Sequence, residues 1–455
     1  MSEKTSETSK VILTTTLLDT LKKEYETNQP LHNVMQNVLA KNQITKTIKI
    51  NDTRVYNRHN FEIDIPTMKA TAQKSSGRCW IFAGLNLLRE IVAKKLNVDN
   101  FELSQNYTAF YDKLEKINYT LENIIELCNR DYDDRTLHHI LSEGIQDGGQ
   151  WDMFANIVKK YGVVPKTVMD ETYQSSNTRE SNFIISTTLR KFAAFAYKKI
   201  RENKLEEIKK EKETVLQKLY NVLCMCYGKP VEKFDFEYCE KSGNKYHYDK
   251  DCSPKSFYEK YLGDDLINEY VSVVNAPTST KPFYNLYTVK YVGNVIGGQK
   301  IRYINLPMNE IKELCIKSLK NNEIIWFGSD CGKYSDDTGV WDDNMFDYEK
   351  VFGLSLKVDK GDMLDFNISA MDHAMVITGL SFKDGKPGKW KIENSWGTDK
   401  ANAGYYLMTD SWFDNFVFQA VINKKYLSKE QLDVLNKEFI ELEPWDPMGT
   451  LALQK

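Results

Sequence analysis

No stretch of the 455 residues holds the roughly 20 consecutive apolar side chains that a membrane-spanning helix needs. The segment Met1 to Lys10 is polar and charged, and Val11 to Leu18 is short and carries three threonines. Neither has the form of a secretory signal, so a cytosolic protein is expected. Cysteine is sparse. The eight residues Cys79, Cys128, Cys224, Cys226, Cys239, Cys252, Cys315 and Cys331 are irregularly spaced, which argues for reduced thiols over a disulfide framework. A net charge of −3 gives no global drive toward nucleic acid or an anionic membrane surface. No internal repeat or low-complexity linker divides the chain, so its length implies insertions into one fold rather than a string of domains.

What is present is a soluble globular composition. Hydrophobic residues make up 41% and charged residues 27%, enough to bury a large core. Helical periodicity is expected over Thr14 to Glu26, Leu31 to Leu39, Trp151 to Lys160 and Met308 to Leu319. Strands are expected at 61–65, 286–295 and 323–328. Phe192 to Leu223 reads as one long Lys/Glu-rich helical stretch whose charge run, Glu202 to Glu213, is a solvated face. His247 lies between Cys239 and Cys252, but that spacing fits no standard zinc pattern and lacks a fourth ligand. No metal or other cofactor is called for.

The chemistry concentrates at Gln73-Lys74-Ser75-Ser76-Gly77-Arg78-Cys79-Trp80. Ile81, Leu85, Leu88 and Val92 follow on one helical face, so Cys79 opens an amphipathic helix. A thiol at a helix N-terminus meets free backbone N–H groups and the positive end of the dipole, and both favour thiolate. Gln73 supplies an amide donor where an acyl-transfer enzyme needs oxyanion stabilisation. The ordinary alternative is a small buried cysteine at a loop–helix junction.

Partners elsewhere decide between these readings. Of only six histidines, His373 alone sits in a strand-like segment, Met371 to Gly379. A turn cluster and a second strand follow, ending in Asn394-Ser395-Trp396-Gly397, and then a third strand at 405–408. Three short strands in succession imply an antiparallel sheet that sets Asn394 beside His373. An imidazole can take the thiol proton, and an asparagine oxygen can orient the imidazole. Trp396 can shield that hydrogen bond from water. Separately, Asp147-Gly148-Gly149 precedes a helix, and paired glycines let another backbone approach closely.

These stretches, with Asp372-His373-Ala374, resemble the papain-like cysteine peptidases, and most closely the bleomycin hydrolase and aminopeptidase C branch. Tyr291 to Gly298, Trp326-Phe327-Gly328 and the ending Pro444 to Ala452 extend the resemblance to nearly the whole chain. It implies an α+β papain-like fold, with a helical half and an antiparallel, barrel-like β half. The segments implied are an N-terminal arm (1–60), a helical half with the nucleophile (61–185), a helical insertion (186–275), a β-rich half with His and Asn (276–430) and a C-terminal arm reaching the cleft (431–455). It implies Cys79 as nucleophile, His373 as base and acid, Asn394 as orienting residue, and Gln73 with the Cys79 N–H as oxyanion hole.

Asp147, Gly148, Gly149, Trp396 and Ala452 are implied to border the substrate. The implied activity is removal of N-terminal residues from peptides with a free N-terminus, and hydrolysis of bleomycin-type amides, in a homohexamer without membrane or nucleic-acid partners. The family tail, ending near Ala452, selects free N-termini; here Leu453-Gln454-Lys455 continue beyond it. Acyl transfer or thiolactone hydrolysis by the same acyl-enzyme stays open at this level, as does a non-enzymatic scaffold.

Overall fold

In a computed structural model of the chain, the structure describes residues 11–243, 245–336 and 338–453. The fold divides into two compact units. One comprises the described part of Met1–Asn51 with Asn344–Leu356; the other comprises Asp52–Asp343 and Lys357–Lys455.

The smaller unit holds the helices Thr15–Glu26 and Gln29–Leu39. The Thr14 hydroxyl caps the first by accepting from the Leu17 N–H at 3.2 Å. Neither helix buries a residue, and Leu18, Leu21, Tyr25, Leu31 and Val34 stay exposed. An antiparallel bridge between Lys49 and Phe346 joins the two segments of this unit, so a stretch far along the chain adds to the N-terminal arm.

The larger unit is built around the helix Cys79–Leu96, which is buried over most of its length. Its apolar positions serve two faces: the helices Gln105–Leu127 and Trp151–Tyr161 pack on one, the strand His373–Lys383 on the other. The long charged stretch forms two helices, Arg179–Arg201 and Leu205–Tyr227, rather than one. Asn203, with φ of 57°, takes the left-handed turn between them. The charge run staples that solvent-facing corner, with Lys199 paired to Glu202 at 2.9 Å and to Glu207 at 3.1 Å. The hairpin Phe234–Cys239 and Tyr246–Cys252 follows. There His247 stacks on Tyr238 and bonds Glu240 at 2.6 Å, which accounts for its ring without a metal.

Among the described residues the main sheet runs Ile440–Leu442, Leu286–Val289, Tyr303–Asn305, Tyr270–Val274, Val417–Asn423, Ile325–Ser329, His373–Lys383, Lys386–Glu393, Tyr405–Thr409, Val340–Trp341. Ile63–Asp64 pairs with His373–Lys383 off this path. The ends do not pair with each other, so the sheet is open, and the expected barrel-like closure is corrected. Both end strands are short and join by parallel pairing, Ile440–Leu442 to Leu286–Val289 and Val340–Trp341 to Tyr405–Thr409. Closure requires tilt and stagger that bring the edges together, and two such short edges do not supply it. The expected strand over 286–295 stops at Val289, since Tyr291 adopts a positive φ of 57°.

The antiparallel trio expected near the C-terminal third is present. Lys386–Glu393 pairs with His373–Lys383 on one side and with Tyr405–Thr409 on the other, and Glu393 stands opposite Val376 and Tyr405. Directly beyond it, the Asn394 N–H donates to the Gly404 carbonyl at 3.1 Å. Gly404 has φ of 89°, and a Cβ there would lie 2.3 Å from that of Ala70. Only glycine fits this turn, and the turn fixes where the strand releases Asn394.

Candidate active site

Arg78 sets the entry to the Cys79 helix. Its buried guanidinium grips Glu171 through two bonds, at 3.1 and 2.8 Å, and its Nε donates to Ser76 Oγ at 2.9 Å. The Gly77 N–H donates to Asp147 at 2.9 Å. Arg78 itself offers no side-chain cap, so the first-turn N–H groups face Cys79 rather than a capping oxygen. From the opposite wall, the Ala374 N–H donates to Cys79 Sγ at 3.4 Å. The thiol is buried, 2% exposed, at the contact between helix and sheet.

His373 precedes Ala374 and opens its strand. Its Nε2 is bonded to Asn394 Oδ1 at 2.8 Å, and the same oxygen accepts from the Ser395 N–H at 2.7 Å. Trp396 stacks on the imidazole, with ring centroids 5.0 Å apart and planes 26° from parallel. Commitment of Nε2 leaves Nδ1 as the nitrogen for proton exchange.

Gln73 is fixed at both ends of its amide. Oε1 accepts from Ser395 Oγ at 2.6 Å, and Nε2 donates to the Ser76 carbonyl at 2.6 Å. An NH2 group carries two hydrogens, so a second remains for an oxyanion. The Gln73 N–H donates to the Ser395 carbonyl at 2.8 Å, tying this turn to the Asn394 strand. Ser395 was not singled out from sequence, although it stands inside the Asn394 to Gly397 motif.

Burial pushes the Cys79 thiol up to about 12, with Asp372 adding to the rise; the N–H groups of Ala374, Trp80 and Cys79 oppose it. Burial also takes His373 down to about 4, against the bond from Asn394. Each group alone is therefore neutral. Transfer of the proton from sulfur to Nδ1 creates both charges together. Two unit charges about 4 Å apart attract by about 4 kcal/mol at an effective dielectric of about 20. This attraction offsets part of the burial cost, so the neutral pair is the resting form and the charged pair forms as the reaction proceeds. Asp372, next to His373 in sequence, is raised to about 6 by burial and by Asp330, and it accepts from the Cys331 N–H at 2.9 Å.

The glycine pair lies close by. A Cβ on Gly149 would fall 2.5 Å from the Trp80 ring, and Trp80 Nε1 donates to the Asp147 carbonyl at 2.7 Å. The residue after the nucleophile thus buttresses this wall. Lys116 Nζ holds the Gly148 carbonyl at 2.5 Å and pairs with Asp112 at 2.7 Å. The carboxylate of Asp147 turns inward, away from any substrate: it receives Gly77, Asn182 at 3.0 Å, Thr178 and Lys113 at 2.5 Å. Burial opposes its charge, but Lys113 and these donors prevail and hold it well below the usual carboxylate range. Asp147 is a buried tie between the nucleophile turn and the glycine wall. Lys113 and Lys116 carried no sequence signal, being ordinary mid-helix lysines until the fold buries them.

The chain's own C-terminal segment occupies the wall. The Gly149 N–H donates to the Leu451 carbonyl at 3.0 Å, and a Cβ on Gly148 would fall 2.3 Å from that oxygen. Thr450 Oγ1 donates to the Met371 carbonyl at 2.6 Å, two residues before His373. Ala452 is buried, and Leu453 borders a small cavity of about 60 Å³ with Lys116, His139 and Glu143. Of the three residues expected past Ala452, Gln454 and Lys455 lie outside the described residues.

Comparison with known proteins agrees with this arrangement. The Peptidase C1-like family model matches residues 12–449. Aminopeptidase C of Lactobacillus helveticus is 44% identical over 432 residues, covering 94% of this chain and 96% of that one. Human bleomycin hydrolase is 39% identical over 407 residues, covering 87% and 89%. The crystal structure of PepW from Lactobacillus rhamnosis HN001 superposes with a TM-score of 0.93 at 42% identity, over 96% of this chain and 99% of that one. The chain belongs to the Peptidase C1-like family and is a cysteine peptidase.

Proposed function

We propose that this enzyme is an aminopeptidase, removing residues from the free N-termini of peptides through a thioester on Cys79. In this reading His373 Nδ1 takes the thiol proton, and the sulfur attacks the scissile carbonyl. The side-chain amide of Gln73 and the backbone N–H of Cys79 receive the oxyanion. His373 then returns the proton to the leaving amine and activates water for deacylation, while Asn394 keeps the ring in register. Amides of the bleomycin type fall within the same chemistry.

The observation that carries the aminopeptidase reading is the bond from Gly149 N–H to the Leu451 carbonyl. A backbone already lies along the wall that a longer acyl-side substrate would need. In this reading the segment stops a longer acyl-side substrate, and the first residue of a peptide takes the place beside Cys79. Gly148, Gly149 and Ala452 border the acyl side, and Trp396 the leaving side. A cytoplasmic location and a homohexamer belong to the same proposal. The open apolar positions Leu18, Leu21, Tyr25, Leu31 and Val34 supply a surface that assembly would cover. Among the described residues no helix is long and apolar enough to cross a membrane.

Three outcomes are expected. Cys79→Ala abolishes release of fluorophore from unblocked amino-acid amides; full retained activity would refute the assignment. The base must be neutral to accept a proton, and burial lowers His373 to about 4. The acid limb of kcat/KM therefore falls near pH 4, whereas a limb near 6.5 would mean a solvent-exposed imidazole. Deleting residues 451–455 opens the acyl side, and cleavage of N-acetylated peptides appears where the intact chain gives none; a deleted chain still confined to free N-termini would place the selectivity elsewhere.

A further inference from the structure

The mechanism above uses no group from the second half of the Cys79 helix, yet that half carries a buried charged cluster. Arg89, 1% exposed, donates through Nη2 to Glu393 Oε1 at 2.8 Å. Asn86 Nδ2 donates to the same oxygen at 2.8 Å and to Thr71 Oγ1 at 3.1 Å. The Glu393 side chain is wholly inaccessible. Arg89 also reaches the Met68 carbonyl at 3.2 Å and Glu90 at 3.3 Å, and Glu90 accepts from the Met68 N–H at 2.9 Å.

Two features join this cluster to the site. Asn86 is seven residues past Cys79, two helical turns, and so lies on the same face. Glu393 is the last residue of its strand and directly precedes Asn394. Glu393 is thus bound to the nucleophile helix by its side chain while the next residue, Asn394, bonds His373. The thiol and the imidazole's orienting oxygen sit on different elements, and this cluster is a buried polar link between those two elements.

We propose that Glu393, gripped by Arg89 and Asn86, is a positioning residue that sets the register of Asn394 and His373 against Cys79. This rests on the cysteine-peptidase reading of the site. The carboxylate is tuned by its surroundings: burial raises it to about 7, against Arg89, with Glu90 on the helix and Lys391 on its own strand also facing it. Tyr405, on the neighbouring strand, is raised by burial and by Glu393 in turn. A buried ion pair is poor evidence for stability, because apolar residues of similar volume often replace it at no cost. Its place directly before Asn394 fits a role in alignment.

That contrast supplies the test. The paired variant Arg89→Met/Glu393→Leu removes both charges and keeps the volume; Glu393→Gln removes one charge and keeps the shape. Each is compared with wild type by thermal melting, by kcat and KM on a free amino-acid amide, and by the pH dependence of Cys79 alkylation with iodoacetamide, located by peptide mass. A displaced reacting group costs on the order of tenfold to a hundredfold in rate. The expected result is a folded variant with kcat lowered about that much, KM changed less than about twofold, and an alkylation profile moved toward that of an unassisted thiol. A folded paired variant with wild-type kcat and alkylation profile would overturn the proposal, as would a change confined to KM. If the paired variant does not fold, the same readouts on Glu393→Gln decide. Alkylation needs no substrate, so the wild-type profile tests Cys79 as nucleophile, and the ratio of variant to wild type tests the positioning role.

Discussion

The contact on which the site depends is the Ala374 N–H pointing at the sulfur of Cys79, between residues 295 apart in sequence. It records that the start of a helix and the start of a strand have been pressed together with no water between them. Burial makes both the thiol and the imidazole reluctant to ionise alone. It also strengthens the attraction once they ionise together. The surrounding structure serves this one contact. Arg78 and Glu171 set the turn, Trp326 Nε1 holds the Trp80 carbonyl at 3.1 Å, and Gly404, just before the neighbouring strand, accepts from the Asn394 N–H.

A second constraint is the narrowness of the glycine wall. Trp80 lies too close to Gly149 for any Cβ there, so the wall cannot thicken without displacing the residue next to the nucleophile. Lys116 fixes the Gly148 carbonyl from behind. The Leu451 carbonyl then takes the Gly149 N–H. In the proposed reading chemistry and selection are separated along the chain: the nucleophile turn carries out the first, and the C-terminal segment controls the second.

Much of the site was legible in the sequence because its parts carry strong local signals. A Gly-Arg-Cys-Trp turn before a helical stripe, and a histidine and an asparagine on successive short strands, each state a geometry. The pairing of His373–Lys383 with Lys386–Glu393 follows from those patterns. Residues whose role comes only from tertiary burial were not legible. Lys113 and Lys116 look like surface lysines, and Asp147, beside the glycines, reads as part of the cleft, whereas its carboxylate pairs with Lys113. The openness of the sheet and the break at Asn203 were likewise hidden. Edge pairing and a single left-handed residue leave little trace in periodicity.

The central claim is that Cys79 cleaves and the C-terminal segment restricts it to free N-termini. The most direct measurement is product analysis by mass spectrometry of one peptide supplied in two forms, free and N-acetylated, with the intact chain. The account predicts stepwise loss of residues from the free peptide and an untouched acetylated one. Internal cleavage of both forms at comparable rates would contradict it.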